Sequence, residues 1–272
     1  MAEPETKKSR GNPIADLLAL PNDDPRKSLG VAFGVALACA IAVSTAATLL
    51  RPVQQANLEA ERQAQLAAMI ERLPGMADIL AGAGADSLQA RTVDLTTDTF
   101  ADDISALALD QRAAANDPER SIALAPEQDI AGIKRRSNFA PVYFLEKDGE
   151  PFLTILPVHG AGYASTLYGY LALEADLNTV AALTFYEQGD TPGLGARVAD
   201  PAWTALWAGA QIADETGEIR IESVRDAEGP YQVDAISGAT RTSNGVTNLL
   251  RFWLGEDGFG PFLANLREGT IE

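Results

Sequence analysis

Cysteine and histidine are almost absent from this 272-residue chain, which has one of each, Cys39 and His159. A single thiol excludes an internal disulfide framework. One imidazole, with no His-Glu pattern around it, cannot assemble a zinc site. Cys39 lies in the most apolar stretch, where a free thiol behaves as a small inert hydrophobe. Positive charge is also scarce: 21 Lys and Arg stand against 38 Asp and Glu, a net charge of −17. Residues 1–30 hold five basic and five acidic residues, so the whole excess falls after residue 50. An acidic body of this kind repels nucleic acid and anionic headgroups, which sets nucleic-acid binding aside. Repeats, low-complexity tracts, a phosphate-binding P-loop and a nucleophile elbow are all missing.

What is present begins with a charge-free run of 22 residues, Leu29–Leu50. At 1.5 Å per residue it can cross a hydrocarbon core of about 30 Å. Gly30, Gly34, Ala36, Ala38, Ala40, Ala42 and Ser44 would let another helix approach closely. The run is longer than a signal-peptide core and comes after some 28 residues of mostly polar sequence. Arg26 and Lys27 precede it, with Lys7, Lys8 and Arg10 further back; only Arg51 and Arg62 come soon after it. That bias predicts a cytoplasmic N-terminus and a periplasmic body in a bacterial inner membrane.

The remainder reads as α+β with an antiparallel sheet and flanking helices. Residues 53–73 carry Leu58, Leu66, Met69, Ile70 and Leu73 mostly on one helical face, a stalk helix stopped by Pro74-Gly75. The pattern is weak from Met76 to Ile133. Residues 141–145 and 151–156 flank Lys147-Asp148-Gly149-Glu150 as a hairpin. Further strands are expected at 167–173, 180–186, 219–224 and 231–236, with a short helical piece at 203–208. Val246, Leu249, Leu250, Trp253 and Leu254 recur at the spacing of an amphipathic helix. The chain thus divides into four segments: 1–28 cytoplasmic, 29–50 in the membrane, 51–75 the stalk, and 76–272 the periplasmic domain.

Three runs carry chemistry. In residues 234–246, DAISGATRTSNGV, a strand ends at Ile236 and Ser237-Gly238-Ala239 makes a tight turn. Thr240, Thr242 and Ser243 then offer caps to the next helix. A helix start with small neighbours welcomes a phosphate, because its N–H groups are free and its dipole is positive. Local chemistry alone favours the plainer reading of strand, turn and capped helix. In the second run, Glu187–Gly195, Pro192-Gly193 signals a turn, and Gly193 and Gly195 surround Leu194. That arrangement suits backbone and one apolar side chain laid on a flat ring; an ordinary hairpin loop fits as well. The third run, His159–Tyr170, contains Gly160-x-Gly162 but lacks a third glycine and a βαβ setting, which excludes a dinucleotide fold.

Taken together, the chain resembles the C subunit of the bacterial sodium-translocating NADH:quinone oxidoreductase. The resemblance rests on the single apolar span, residues 160–195, the pair Trp203 and Trp207, DAISGAT, and RFWLGEDGFGPFL. It implies FMN, donated by FAD through a periplasmic flavin transferase and joined by a phosphoester to Thr240. Asp234, Ser237, Gly238 and Ala239 would be the recognition residues. Thr191, Pro192, Gly193, Leu194, Gly195, Thr242 and Ser243 would complete a site in a flavin region of about 134–256. No catalytic residue and no metal are implied, only relay of electrons within a six-subunit sodium-pumping complex. The G subunit of Rnf-type ferredoxin:NAD oxidoreductases shares the flavin signature and the Thr-Pro-Gly-Leu-Gly run. Tyr168-Gly169-Tyr170 and Phe252-Trp253-Leu254-Gly255 favour the sodium pump. A membrane-anchored, non-redox scaffold or sensor domain is the reading from a different class. The chain departs from the family pattern at Ala164, where an aromatic is expected, and at Asp190, where Glu is expected.

Overall fold

The computed structural model describes residues 21, 24–25, 27–41, 43–45, 87–147 and 150–271. They fall in two units, divided between Gln65 and Leu66. In the first, helix α1 (Lys27–Thr45) is long and apolar enough to cross a membrane. Its Leu29, Phe33 and Val43 are 77%, 70% and 69% exposed, so nothing among the described residues covers its apolar side chains. The end of the expected span at 46–50 and the expected stalk helix at 53–73 lie outside the described residues.

The second unit is built on a six-stranded antiparallel sheet in the order β2-β1-β5-β6-β7-β8. Its strands are β1 (Ser87–Asp94), β2 (Thr99–Phe100), β5 (Phe139–Lys147), β6 (Glu150–Ala161), β7 (Thr166–Glu174) and β8 (Val180–Glu187). The expected hairpin is present and longer than its apolar runs suggest: Lys147 pairs with Glu150 at its tip. The weakly patterned stretch before Ile133 supplies β1, which pairs with β5 along its whole length, from Ser87 opposite Glu146 to Asp94 opposite Phe139. Helix α2 (Gln111–Asn116) and the short pair β3 (Ser121–Ala123) and β4 (Arg135–Ser137) come after β1 and β2 in the chain.

Alternation along the strands fills two layers. Val142, Phe144, Leu156, Val158, Leu171, Leu173, Leu183 and Phe185 join the main core. Tyr143, Leu145, Leu153, Ile155 and Ala172 form a smaller cluster of their own. The main core is closed by helix α4 (Thr240–Leu254), which buries Val246, Leu249, Leu250, Phe252 and Trp253. It lies very close to β6. A Cβ on Gly160 would sit 2.6 Å from that of Leu249, and one on Gly245 would strike the Ala161 carbonyl.

Two sequence expectations change. The strands foreseen at 219–224 and 231–236 shrink to β9 (Glu222–Val224) and β10 (Gln232–Asp234), which pair parallel in a separate two-stranded ribbon. The helical piece at 203–208 becomes helix α3 (Pro201–Thr204) and a 3-10 turn (Ala205–Trp207). A further helix, α5 (Gly260–Glu268), ends in a left-handed Gly269 cap.

Candidate functional site

Three segments far apart in sequence meet at the start of α4: the turn 162–165 between β6 and β7, the loop 188–195 after β8, and residues 236–243. They meet on Asp190, which is 4% exposed. Its Oδ1 accepts the N–H of Ala164 (2.8 Å) and of Ser165 (3.1 Å), and its Oδ2 accepts that of Tyr163 (3.0 Å). The Thr242 hydroxyl donates to Oδ2 at 2.6 Å. Burial pushes the carboxyl toward protonation, but the Thr242 hydroxyl and the three main-chain N–H groups outweigh it and hold it below the usual range. The loop 188–195 is therefore no ordinary hairpin connection; it runs from β8 into a 3-10 turn at Gly195–Ala199. Gly195 makes room for the carboxylate, since a Cβ there would fall 2.5 Å from Thr242 Oγ1 and 2.7 Å from Asp190 Oδ2. Gly193, with φ +76°, supplies the turn.

The helix start differs from the expected capped turn. Gly238 takes a left-handed conformation (φ +78°), and Ala239 occupies the cap position with no side chain capping the helix. Thr242 is turned inward to Asp190. Ser243 is turned inward as well, its Oγ accepting the Ile236 N–H at 3.0 Å and tying the incoming strand to the first turn. Neither is a cap, because burial commits each hydroxyl to a partner inside the fold. Thr240 is the first helical residue and is exposed.

A cavity of about 380 Å³ opens at this point. Of the residues singled out from the sequence, Thr191, Leu194, Gly195, Gly238, Ala239, Thr240 and Thr242 line it, together with Tyr163 and Arg241. Leu194 is 46% and Tyr163 57% exposed, so both present apolar surface at the opening. The Arg241 guanidinium stands 5.5 Å from the Tyr163 ring centroid. Pro192, Gly193, Ser237 and Ser243 adjoin the lining without forming it. Asp234 is elsewhere engaged: its carboxylate accepts the Ala227 N–H (2.9 Å) and its carbonyl accepts the Trp203 indole N–H (2.8 Å). A larger cavity, about 760 Å³ beside Ile212, Leu263 and Arg267, contains none of the expected residues.

Sequence reasoning missed Arg241, Tyr163 and the central part of Asp190. A cation directly after Thr240 was a visible signal for a phosphate; nothing local to Tyr163 or Asp190 announced that they would meet. The lining carries two exposed threonine hydroxyls, on Thr191 and Thr240, with an uncapped helix start at the second, one guanidinium and no carboxylate. Such a donor set fits a phosphate monoester, with Leu194 and Tyr163 available to a flat apolar ring. Among the described residues no cluster of His, Cys, Asp or Glu could hold a metal ion.

Comparison with known proteins agrees with this geometry. Residues 162–255 match the FMN-binding domain family. The C subunit of the Na(+)-translocating NADH-quinone reductase of Vibrio alginolyticus is 42% identical over 257 residues, spanning 93% of this chain and all of that protein. The chain belongs to the family of C subunits of Na(+)-translocating NADH-quinone reductases. The Pseudomonas aeruginosa member is 45% identical, over 89% of this chain and 96% of its own. The crystal structure of Shewanella oneidensis NqrC superposes with a TM-score of 0.65 at 36% identity, covering 77% of this chain and 97% of that one. Of the two redox families weighed from the sequence, these relatives belong to the sodium-pump one.

Proposed function

We propose that this chain is an electron-transfer subunit of a sodium-translocating NADH:quinone reductase and carries FMN as a phosphoester on Thr240. The observation that bears the proposal is the exposed Thr240 hydroxyl at the uncapped start of α4, inside a match to FMN-binding domains. FMN, when bound, supplies the redox chemistry; the chain's residues hold and surround it. The first N–H groups of α4 and the Arg241 guanidinium would bind the phosphate. Leu194 and Tyr163 would shield one part of the flavin ring from water. No side chain needs to move a proton in such a relay. Ser237, Gly238, Ala239 and Asp234 would be read by a periplasmic flavin transferase, with Asp234 shaping the approach to the turn from its place on β10. Helix α1 would anchor the protein in the inner membrane with the acidic body in the periplasm, beside the other subunits of the complex.

The test is a denaturing gel of the chain co-expressed with a flavin transferase. The wild-type band fluoresces under ultraviolet light and the Thr240→Ala band is dark. A fluorescent Thr240→Ala band removes Thr240 from the assignment. A dark wild-type band supports an anchored scaffold without a redox group.

A further inference from the structure

We propose that Asp190 is a positioning residue for flavin attachment: it sets the orientation of the first turn of α4, and hence of the Thr240 hydroxyl, without touching the phosphate. The proposal rests on Thr240 as the attachment point and extends that reading to a group remote from it in the chain.

The division of donors at the helix start carries the inference. A carboxylate near a helix N-terminus ordinarily accepts the free N–H groups there. Asp190 does not, and no side chain caps α4. Its oxygens are taken by the Thr242 hydroxyl and by the N–H groups of Tyr163, Ala164 and Ser165. One buried anion thus links the Tyr163 wall of the cavity to the helix turn that bears Thr240. The helix-start N–H groups stay available to a second anion on the Thr240 and Arg241 side. The loop is braced from its other side too: the Asp190 N–H donates to Gln188 Oε1 (2.9 Å), and the Gly189 N–H donates to Ser165 Oγ (2.6 Å). Gly162 and Gly195 leave room for the carboxylate, since a Cβ on either would lie within 3.0 Å of Oδ2.

The arrangement demands a carboxylate rather than a polar side chain of the same shape. An amide at position 190 has one accepting oxygen. Whichever way it is turned, its NH2 faces either the Tyr163 N–H or those of Ala164 and Ser165, donor against donor. The turn or the helix must then shift, and Thr240 with it.

The full-length chain in membranes, supplied with flavin transferase and FAD, tests this with Asp190→Asn and Thr242→Val, which break the same link from its two ends. Loading is read as flavin fluorescence per chain over time, folding as the near-ultraviolet circular dichroism, and flavin seating as the visible circular dichroism of the loaded protein. We expect loading to slow on the order of a hundredfold in Asp190→Asn and about tenfold in Thr242→Val, since small displacements of a reacting group are costly. The near-ultraviolet signal of Thr242→Val stays unchanged, and the visible spectrum of whatever flavin is loaded is altered. Wild-type loading rates and wild-type visible spectra in both variants would overturn the proposal. So would slowed loading that in both variants merely tracks loss of the near-ultraviolet signal, because Asp190 would then serve the fold alone. If Asp190→Asn does not fold, Thr242→Val decides between these outcomes. Failure of the wild type to load counts against the Thr240 reading itself, which keeps the two failures distinct.

Discussion

The two ends of α4 are about 21 Å apart by helix geometry, and its first and last turns differ in almost every respect. At the first turn Thr240 and Arg241 are exposed at an open cavity, the flanking residues are small and no side chain caps the helix. At the last, Phe252, Trp253 and Leu254 are buried, Trp253 packs against Phe259 and His159, and its indole N–H donates to the His159 carbonyl at 2.7 Å. The buried end holds the helix by apolar area and close packing. The open end can therefore leave its N–H groups and one hydroxyl unsatisfied by protein, at small cost because water reaches them. Attachment chemistry needs the open end and geometric precision needs the packed one; a single rigid helix joins them.

Substitutions that cross the two ends measure the contrast. Trp253→Ala empties the packed end and is expected to cost about 3–5 kcal/mol, seen as a large fall in the thermal midpoint. Its flavin loading should fail only as far as folding fails. Gly245→Ala, between the two ends, drives a methyl into the Ala161 carbonyl, an overpacking expected to cost about 1–3 kcal/mol. Spacing between α4 and β6 that tolerated it without loss would show the helix to be less firmly seated than the packing implies.

His159 offers a pH-dependent measure of the packed end. Burial, and secondarily the Arg112 guanidinium, lowers its pKa to about 4 from the usual 6.5. Between these values the unfolded chain binds a proton that the folded one refuses, so stability falls as pH falls. From pH 7 to pH 5 this group alone should remove about 2 kcal/mol. Because the chain has one histidine, its imidazole resonance is unambiguous and should remain neutral at pH 5. An ordinary titration near pH 6.5 would mean that the environment around Trp253 is open to water. Asp190 acts at lower pH with the same sign: its depressed carboxyl stabilises the fold above the ordinary carboxylate range, and that contribution is lost as pH falls through the folded value. The smallest effect on stability belongs to Thr240→Ala, expected within about 0.5 kcal/mol because the side chain is exposed and caps nothing. Its effect on flavin content should be complete.

The same contrast explains how much could be read from residues alone. The packed end was legible because Val246, Leu249, Leu250 and Trp253 repeat with helical period. That repeat starts six residues into the helix, which begins at Thr240, where the turn and its hydroxyl residues had signalled a helix start. Its first half escaped the pattern because Thr242, Ser243 and Thr247 are polar and yet buried. Each holds a partner: Asp190, the Ile236 N–H and the Ser223 N–H, respectively. The β5–β6 hairpin was legible from the apolar runs 141–145 and 151–156 that flank the sequence Lys147-Asp148-Gly149-Glu150. Strand β1 was not, because it lies inside the sheet only through pairing with β5, some fifty residues on. Short β9 and β10 look like sheet members in sequence, and only the tertiary arrangement makes them a separate parallel pair. α5, which begins at Gly260 and stops before Gly269, is too short for its periodicity to stand out.

The residues by themselves settle whatever depends on local composition and order. These are the apolar run that can cross a membrane, the acidic character of the body beyond it, the short apolar runs that become strands, and a tight turn of small residues ending at Thr240. Convergence was decided by the fold. Asp190 and Thr242 are 52 positions apart and bond at 2.6 Å. Tyr163 and Arg241 come to share one opening, while Asp234, close to Thr240 in sequence, is turned to Ala227 and Trp203. The physical reason is that a buried polar group must find its partner wherever the packed chain supplies one, and sequence distance places no limit on where that is.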